Sequence, residues 1–223
     1  MKIDVTIDEV LEALPGSRPL KKIQAPLEQS LAAARKIWRP RAVYNWLDVK
    51  KITDQTITLA SPGDKRAVAL NTGFSTRFLA RAETVLAAVY TLGTELEEYC
   101  GSLSARGDFL GAYLTDIIGL VVLDKAGEKI KRLAENRAKT LGWGVSPFLS
   151  PGSVHGWELD DQPSLCSFLP LETIGVKVNA NAILLPFKSI SCLIGLGPDY
   201  ASGLVGSTCD VCSKKEICTM RIH

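Results

Sequence analysis

The spacing of apolar residues along the chain predicts four helices. Ile7 to Leu14 has helical periodicity and stops at the breaker pair Pro15-Gly16, and Leu27 to Trp38 repeats apolar residues at three- and four-residue steps. A third helix is expected from Thr94 to about Ser104. A fourth is expected from Asp108 to Lys139, because Asp108 is suited to an N-cap and apolar residues follow at helical spacing. This last segment is either one long helix or a kinked one.

Shorter apolar runs predict strands. Ala42 to Asp48 and Gln55 to Leu59 are alternating or β-branched and are expected at a sheet edge, whereas Ala82 to Thr91 suits a buried strand. The chain after Gly144 consists of loops and short apolar runs, so we expect this half to supply most strands. The predicted class is α+β. We expect one domain at residues 1–205, with a variable part at 1–66, and a short cysteine-bearing tail at 206–223.

Composition narrows the functional classes. With 46% hydrophobic and 22% charged residues over 223 positions, the chain is typical of soluble globular proteins. A formal net charge of +2 is too small to favour nucleic-acid binding. The longest apolar stretches, Ile117 to Leu123 and Ala182 to Phe187, are too short to span a membrane, and the first residues do not form a secretory signal. We therefore expect a cytoplasmic protein that binds neither membranes nor nucleic acid.

The densest group of unusual residues lies between Ser150 and Leu169. Ser150-Pro151-Gly152 predicts a tight turn, because Pro151 fixes φ at the first central position and Gly152 tolerates positive φ at the second. Such a turn either contacts a bound molecule or is only a sharp connection. The residues that follow add an aromatic ring, carboxylates and an amide, which suit a polar, cationic ligand with an aromatic group. The candidate ligand-binding residues are Ser150, Pro151, Gly152, Ser153, Trp157, Asp160 and Asp161, although Asp160 also suits a helix cap.

A second group lies between Ile174 and Gly197. Asn179 and Asn181 alternate with small residues, and after Pro186-Phe187 the serines Ser189 and Ser191 alternate with apolar residues. Alternation along a strand places polar side chains on one face. The pair of strands therefore presents either a solvated surface or a binding face.

Four segments carry a resemblance to a known family. They are TLGTELE at 91–97, DIIGLVVLDKAGEKI at 116–130, the Ser-Pro-Gly turn with its following Gly-Trp and Asp-Gln pairs, and IGVKVNANAILLPFKSIS at 174–191. Their order resembles the activation (reactivation) domain of cobalamin-dependent methionine synthase and its stand-alone relatives, over roughly residues 79–197. The resemblance implies a twisted antiparallel sheet flanked by helices.

The resemblance also implies a function. It suggests a protein that binds S-adenosylmethionine (SAM) at the Pro-Gly turn and supports reductive remethylation of the cobalamin of a corrinoid methyltransferase such as methionine synthase. The nucleophile would be reduced cobalt on the partner, so the chain would position SAM and needs no catalytic side chain. Whether it counts as an enzyme in its own right is left open. Residues implied at a SAM or cobalamin face are His155, Asn179, Asn181, Ser189 and Ser191.

Two positions depart from the family pattern. Family members carry an Arg four residues before a small-Pro-Gly-Tyr element, whereas this chain has Ser146 and Ser153 at these positions. An arginine binds a carboxylate through two hydrogen bonds, which serine cannot reproduce. Either another group binds the amino-acid part of SAM, or SAM is not the ligand.

The C-terminal tail contains a separate cysteine pattern. Cys209 and Cys212 form a Cys-x2-Cys pair, and Cys218 follows after five residues. Thiolates at this spacing suit zinc or an iron–sulfur cluster, and the spacing does not separate the two. The fourth ligand is either Cys192, Cys166, Cys100 or His223, or the fourth position remains open.

This pattern leaves two alternative functions open. One is an iron–sulfur electron-transfer protein that serves a corrinoid partner. The other is a non-catalytic docking module with structural zinc. A chain that carries both a cluster and SAM would supply both ingredients that reductive methylation consumes.

Overall fold

The computed structural model describes residues 1–14, 23–153 and 157–207. It has an α+β fold in which helices flank a six-stranded antiparallel sheet, which confirms the predicted class. The helices are α1 (Ile7–Ala13), α2 (Gln24–Ile37), α3 (Thr76–Leu79), α4 (Glu95–Ala105), α5 (Phe109–Leu141) and α6 (Gln162–Cys166). The strands are β1 (Arg41–Ile52), β2 (Ile57–Ala60), β3 (Ala67–Leu70), β4 (Thr84–Thr91), β5 (Gly144–Val145), β6 (Lys177–Val178), β7 (Leu184–Leu185) and β8 (Ser189–Gly197).

The main sheet has the strand order β3-β2-β1-β4-β8-β5, and β6 and β7 form a separate hairpin. β1 pairs with β4 through residues 41–48 and with β2 through residues 48–52, with a register shift between Val49 and Lys51. The expected edge positions of Ala42–Asp48 and Gln55–Leu59 are therefore wrong, because β1 pairs with both β2 and β4, and β2 pairs with both β1 and β3. The expectation that the second half supplies most strands is also wrong, since β5, β6 and β7 have two residues each.

Alternate residues of β4 face two hydrophobic layers. Leu86, Ala88 and Tyr90 pack into the layer beneath α5, and Val85 and Ala87 pack into the layer on the opposite face. This two-sided burial explains why β4 is an almost continuous apolar run. β4 and its neighbour β8 are therefore the centre of the fold, and β8 positions the site described below.

Helix α5 is one continuous helix of 33 residues. The Asp108 side chain accepts a hydrogen bond from the Gly111 amide at 2.9 Å, as expected of an N-cap, and Gly142 ends the helix in the left-handed conformation. Gly119 and Gly127 lie inside it at close approaches, to Lys188 and Tyr90 respectively. Neither α5 nor any other helix in the described part of the chain is both long and apolar enough to cross a membrane.

Candidate ligand-binding cleft

A cleft of about 620 Å³ lies along the exposed edge of β8. Within the described residues, β5 pairs only with Leu196 and Gly197, and a single bridge joins Leu149 to Leu193. The first residues of β8, Ser189 to Ser191, are thus left at the edge, between α5 and the segment that carries the Ser-Pro-Gly turn. We call this space the β8 cleft; its volume is in the range of small-molecule sites.

The predicted turn forms part of the cleft wall. The Ser153 amide donates to the Ser150 carbonyl at 3.2 Å, and Gly152 has φ +75°, which gives a turn that glycine adopts without strain. The Ser150 hydroxyl donates to the Ser191 carbonyl at 2.7 Å and so joins the turn to β8. Ser150, Pro151 and Ser153 line the cleft; Gly152 does not, and a Cβ atom added to it would lie 3.3 Å from Leu159 Cδ1, a residue that does.

The β8 serines also line the cleft, and their hydroxyl groups already bond to protein atoms. Ser191 Oγ donates to Gln162 Oε1 at 2.5 Å, and the Gln162 amide nitrogen donates to the Ala182 carbonyl at 2.8 Å. Ser189 Oγ lies 2.7 Å from the Pro186 carbonyl oxygen. These bonds fix the wall in one arrangement before a ligand enters, which lowers the entropic cost of binding.

The α5 side of the cleft carries charge. Asp124, Glu128 and Lys131 line it, and Lys131 Nζ forms an ion pair with Glu128 Oε1 at 2.6 Å. Burial raises the pKa of the Asp124 carboxyl, and nearby Glu128 raises it further, while Lys131 partly offsets both effects. Two carboxylates and one ammonium group leave this wall with net negative charge.

Sequence reasoning missed this charged set. The signal was available, because residues three and four apart on a helix share a face, and Asp124, Glu128 and Lys131 have this spacing. The same spacing describes an ordinary solvated helix face, so only the packing of α5 over β8 distinguishes the two.

Tyr90 and Cys192 are buried near these charges, and of the two Tyr90 lines the cleft. Gly127 has no side chain, which lets the Tyr90 hydroxyl approach α5; a Cβ atom at this position would lie 2.7 Å from it. Cys192 is fully buried in the layer beneath α5, and burial raises the pKa of its thiol well above the ordinary range. Cys192 as the fourth ligand of a metal in the tail remains a prediction.

The remaining residues of the first predicted group lie away from the cleft wall. Trp157 is packed in the layer with Leu149 and Leu165, and Asp160 is exposed. Asp161 is half-buried, and burial raises the pKa of its carboxyl. Trp157 and Asp161 therefore support the loop that carries the turn, and direct ligand contact by either remains a prediction.

The asparagines of the second group lie in the turn between β6 and β7 instead of on an alternating strand pair. The Asn179 side-chain oxygen accepts hydrogen bonds from the Asn181 and Ile183 amides, each at 2.9 Å. Asparagine commonly satisfies turn amides in this way, which explains the departure from the predicted alternation. Their role at a SAM or cobalamin face remains a prediction.

Ser146, which stands where family members carry an arginine, has a structural role. Ser146 is fully buried, its hydroxyl accepts from the Gly195 amide at 2.8 Å, and it donates to the Pro147 carbonyl at 2.8 Å. Ser146 therefore stabilises the pairing of the chain with β8, and its hydroxyl is occupied by backbone groups.

Five predicted residues lie outside the described part of the chain: His155, Cys209, Cys212, Cys218 and His223. Within residues 1–14, 23–153 and 157–207, no cluster of three or more His, Cys, Asp or Glu side chains is arranged to hold a metal ion. The predicted metal site in the tail is therefore not tested.

Comparison with known proteins identifies a shared fold. No family model matches the sequence, and no curated protein matches it. Among solved structures, the chain is similar to the crystal structure of the MetH reactivation domain bound to AdoHcy, with a TM-score of 0.57 and 14% identity. The match covers 90% of this chain and 73% of that one. The chain thus has the fold of a MetH reactivation domain, which agrees with the resemblance seen in the sequence.

Proposed function

We propose that this protein binds SAM in the β8 cleft and supports reductive remethylation of the cobalamin of a corrinoid methyltransferase such as methionine synthase. The fold of the MetH reactivation domain supports this role, because the solved domain holds AdoHcy, the molecule that SAM becomes after it gives up its methyl group. The observation that carries the proposal is the position of the Ser150–Ser153 turn, which borders a cleft of suitable volume at the edge of β8.

The charges of the cleft suit SAM. Its sulfonium is a permanent cation, and Asp124 and Glu128 provide negative charge on the α5 wall. Attraction between opposite charges is strengthened when a bound ligand displaces water from between them. We assign the sulfonium to this wall.

Lys131 is the group that we assign to the carboxylate of SAM in place of the missing arginine. Its ammonium group lines the same cleft and is held by Glu128 at 2.6 Å. A lysine binds a carboxylate as a point charge, without the paired geometry of arginine, so we expect weaker orientation of the amino-acid part. In this proposal Lys131, and not residue 146, binds the amino-acid part of SAM.

Phe187 provides an apolar rim for the corrinoid partner. Its side chain lines the cleft and is 73% exposed. The next residue, Lys188, is buried: its ammonium group contacts Asp116 at 2.7 Å and its amide donates to Glu97. The backbone at Phe187 is therefore anchored, and we assign the ring to docking of the partner at the cleft.

The chemistry requires positioning alone. Reduced cobalt on the partner would attack the SAM methyl carbon, and AdoHcy would leave, so the chain provides alignment and excludes water. The test mixes the protein with a corrinoid protein in the Co(II) state, SAM and a low-potential reductant, and follows methylcobalamin formation by absorbance. We expect methylation to depend on the wild-type chain and to fall with Phe187→Ala, while SAM affinity is retained. Equal rates with and without the chain would contradict the proposal.

A further inference from the structure

We propose that the Tyr90 hydroxyl binds the α-ammonium group of the ligand in the β8 cleft and so makes the cleft specific for a molecule with a free amino-acid end. The identity of the ligand rests on the proposed function. The observation that carries the proposal is a buried hydroxyl that faces the cleft and bonds to none of the described residues.

Tyr90 carries a polar atom that the fold leaves without a partner. The residue is 3% exposed, its side chain lines the cleft, and its hydroxyl forms no hydrogen bond with any residue in the described part of the chain. By contrast, the Tyr200 hydroxyl, in the hydrophobic layer on the other face of the sheet, donates to the Phe78 carbonyl at 2.7 Å. Buried hydroxyl groups are nearly always hydrogen-bonded, because an unpaired one costs free energy on burial. The Tyr90 hydroxyl is therefore available to a ligand.

Gly127 shows where this hydroxyl lies along α5. A Cβ atom on Gly127 would be 2.7 Å from the Tyr90 hydroxyl oxygen. Gly127 lies between Asp124 and Lys131 in sequence, so at about 1.5 Å per residue the hydroxyl is about 4.5 Å beyond the first and about 6 Å before the second along the helix axis. In SAM, two methylene groups join the sulfonium to the α-carbon, which carries both the ammonium and the carboxylate. The ammonium of a ligand that extends from Asp124 towards Lys131 therefore lies near Tyr90.

The charges of this wall match those of the amino-acid end of SAM. The wall has two carboxylates, Asp124 and Glu128, and one ammonium group, that of Lys131, whereas SAM has two cations and one carboxylate. The sulfonium and the carboxylate are assigned above, and the ammonium is the cation that remains. The two wall carboxylates attract a cation towards Tyr90 and repel the carboxylate of the ligand. The ammonium is therefore the group that suits this position.

Tyr90 keeps its proton at this position. Burial raises the pKa of its phenol above the usual range, and Cys192, Asp124 and Glu128 raise it further. A protonated phenol offers lone pairs to an N–H donor and adds no further negative charge to the wall. Hydrogen bonds that involve a charged group are the stronger class, so this contact distinguishes ligands that carry an ammonium from ligands that lack one.

The first experiment measures recognition of the ammonium with a pair of compounds. Calorimetry compares AdoHcy with its deamino analogue, which keeps the carboxylate and has hydrogen in place of the ammonium. Neither compound has a sulfonium, so the difference between them reports the ammonium alone. We expect Tyr90→Phe to lose about 10- to 100-fold in affinity for AdoHcy and less than about 2-fold for the analogue. Equal losses for the two compounds, or no loss for AdoHcy, overturn the assignment.

The second experiment tests the unpaired hydroxyl without any ligand. Tyr90→Phe removes a hydroxyl that has no partner and should leave Tm unchanged or raise it. Tyr200→Phe is the matched control: it takes a donor from the Phe78 carbonyl and should lower Tm by about 2 to 6 °C, with unchanged affinity for both compounds. A fall in Tm for Tyr90→Phe as large as that for Tyr200→Phe would show that the Tyr90 hydroxyl already has a partner, and would overturn the proposal.

Failure of the proposed function gives a different result from failure of this assignment. If neither AdoHcy nor SAM binds the wild-type protein, the proposed function is wrong and the assignment of Tyr90 to the ammonium is overturned with it. If both bind, and Tyr90→Phe loses the same affinity for AdoHcy and for the deamino analogue, the proposed function stands and only the role of Tyr90 is overturned.

Discussion

A substitution of Gly152 tests whether the Ser-Pro-Gly turn forms the SAM site. Gly152 has φ +75°, and a Cβ atom there would lie 3.3 Å from Leu159 Cδ1, tighter than an ordinary contact. A left-handed conformation costs a non-glycine residue about 1 to 2 kcal/mol. If the turn of Gly152→Ala relaxes in the free protein, binding must restore it at that cost. We therefore expect calorimetry to show SAM affinity reduced about 5- to 30-fold.

The chain offers a matched control for this strain. Gly63 has φ +79° in a second Ser-Pro-Gly turn, closed by a hydrogen bond from the Asp64 amide to the Ser61 carbonyl at 3.0 Å, and a Cβ atom added to it would meet no other atom within 4 Å. Gly63→Ala should lower Tm by about 2 to 8 °C, since about 1 kcal/mol corresponds to 2 to 4 °C in a chain of this size. Gly152→Ala should lower Tm less, because a relaxed turn avoids part of that cost until SAM binds. Only Gly152→Ala should lose SAM affinity. Unchanged affinity in Gly152→Ala, with Tm lowered less than in Gly63→Ala, would show that the turn relaxes without affecting SAM and would refute the placement of SAM at the turn.

Three further predictions concern α5. Ionised Asp124 attracts the sulfonium and its pKa is raised, so SAM should bind more tightly as pH rises through a window above the ordinary aspartate pKa of about 3.9; in calorimetry Asp124→Asn should lose this dependence, and an unchanged dependence would refute the assignment. Lys131→Met should weaken SAM binding by about 1.5 to 3 kcal/mol. The affinity for 5′-methylthioadenosine, which has no carboxylate, should not change in competition assays. Equal losses of affinity for the two ligands would refute the assignment of Lys131 to the carboxylate. Gly127→Ala places Cβ 2.7 Å from the Tyr90 hydroxyl. This contact should lower the free energy of unfolding by about 1 to 3 kcal/mol in urea titrations, less the gain in helix propensity from alanine. A clear rise in the free energy of unfolding would show that Tyr90 moves freely.

Local signals in the sequence predicted much of the fold. The helix boundaries follow from short-range features, such as the breaker after α1 and the Asp108 N-cap of α5, and the structure confirms both. The Ser-Pro-Gly turn was equally predictable, because the backbone preferences of Pro151 and Gly152 determine it without help from the rest of the chain. The position of β1 inside the sheet was not predictable, since strand order depends on pairing between distant segments.

The site was predicted only in part, for the same reason. Ser150 and Ser191 belong to different predicted groups. In the structure they lie side by side, because the Ser150 hydroxyl donates a hydrogen bond of 2.7 Å to the Ser191 carbonyl. The charged wall of α5 was missed because its spacing matches a solvated helix. Trp157 has the composition of a ligand-binding residue, yet its large ring is fully buried in the core. Composition identified the region of the site. Only tertiary packing distinguishes the residues that line the cleft from those that hold the lining residues in place.

Calorimetric titration of anaerobically prepared wild-type protein with SAM tests the central claim most directly. It should be run at two temperatures. Burial of apolar surface makes the binding enthalpy change with temperature, so an enthalpy near zero at one temperature is measurable at the other. The account predicts saturable binding near one SAM per chain, with AdoHcy competing for the same site. Absence of saturable heat at both temperatures, from protein shown to be folded by circular dichroism, would contradict SAM binding in the β8 cleft.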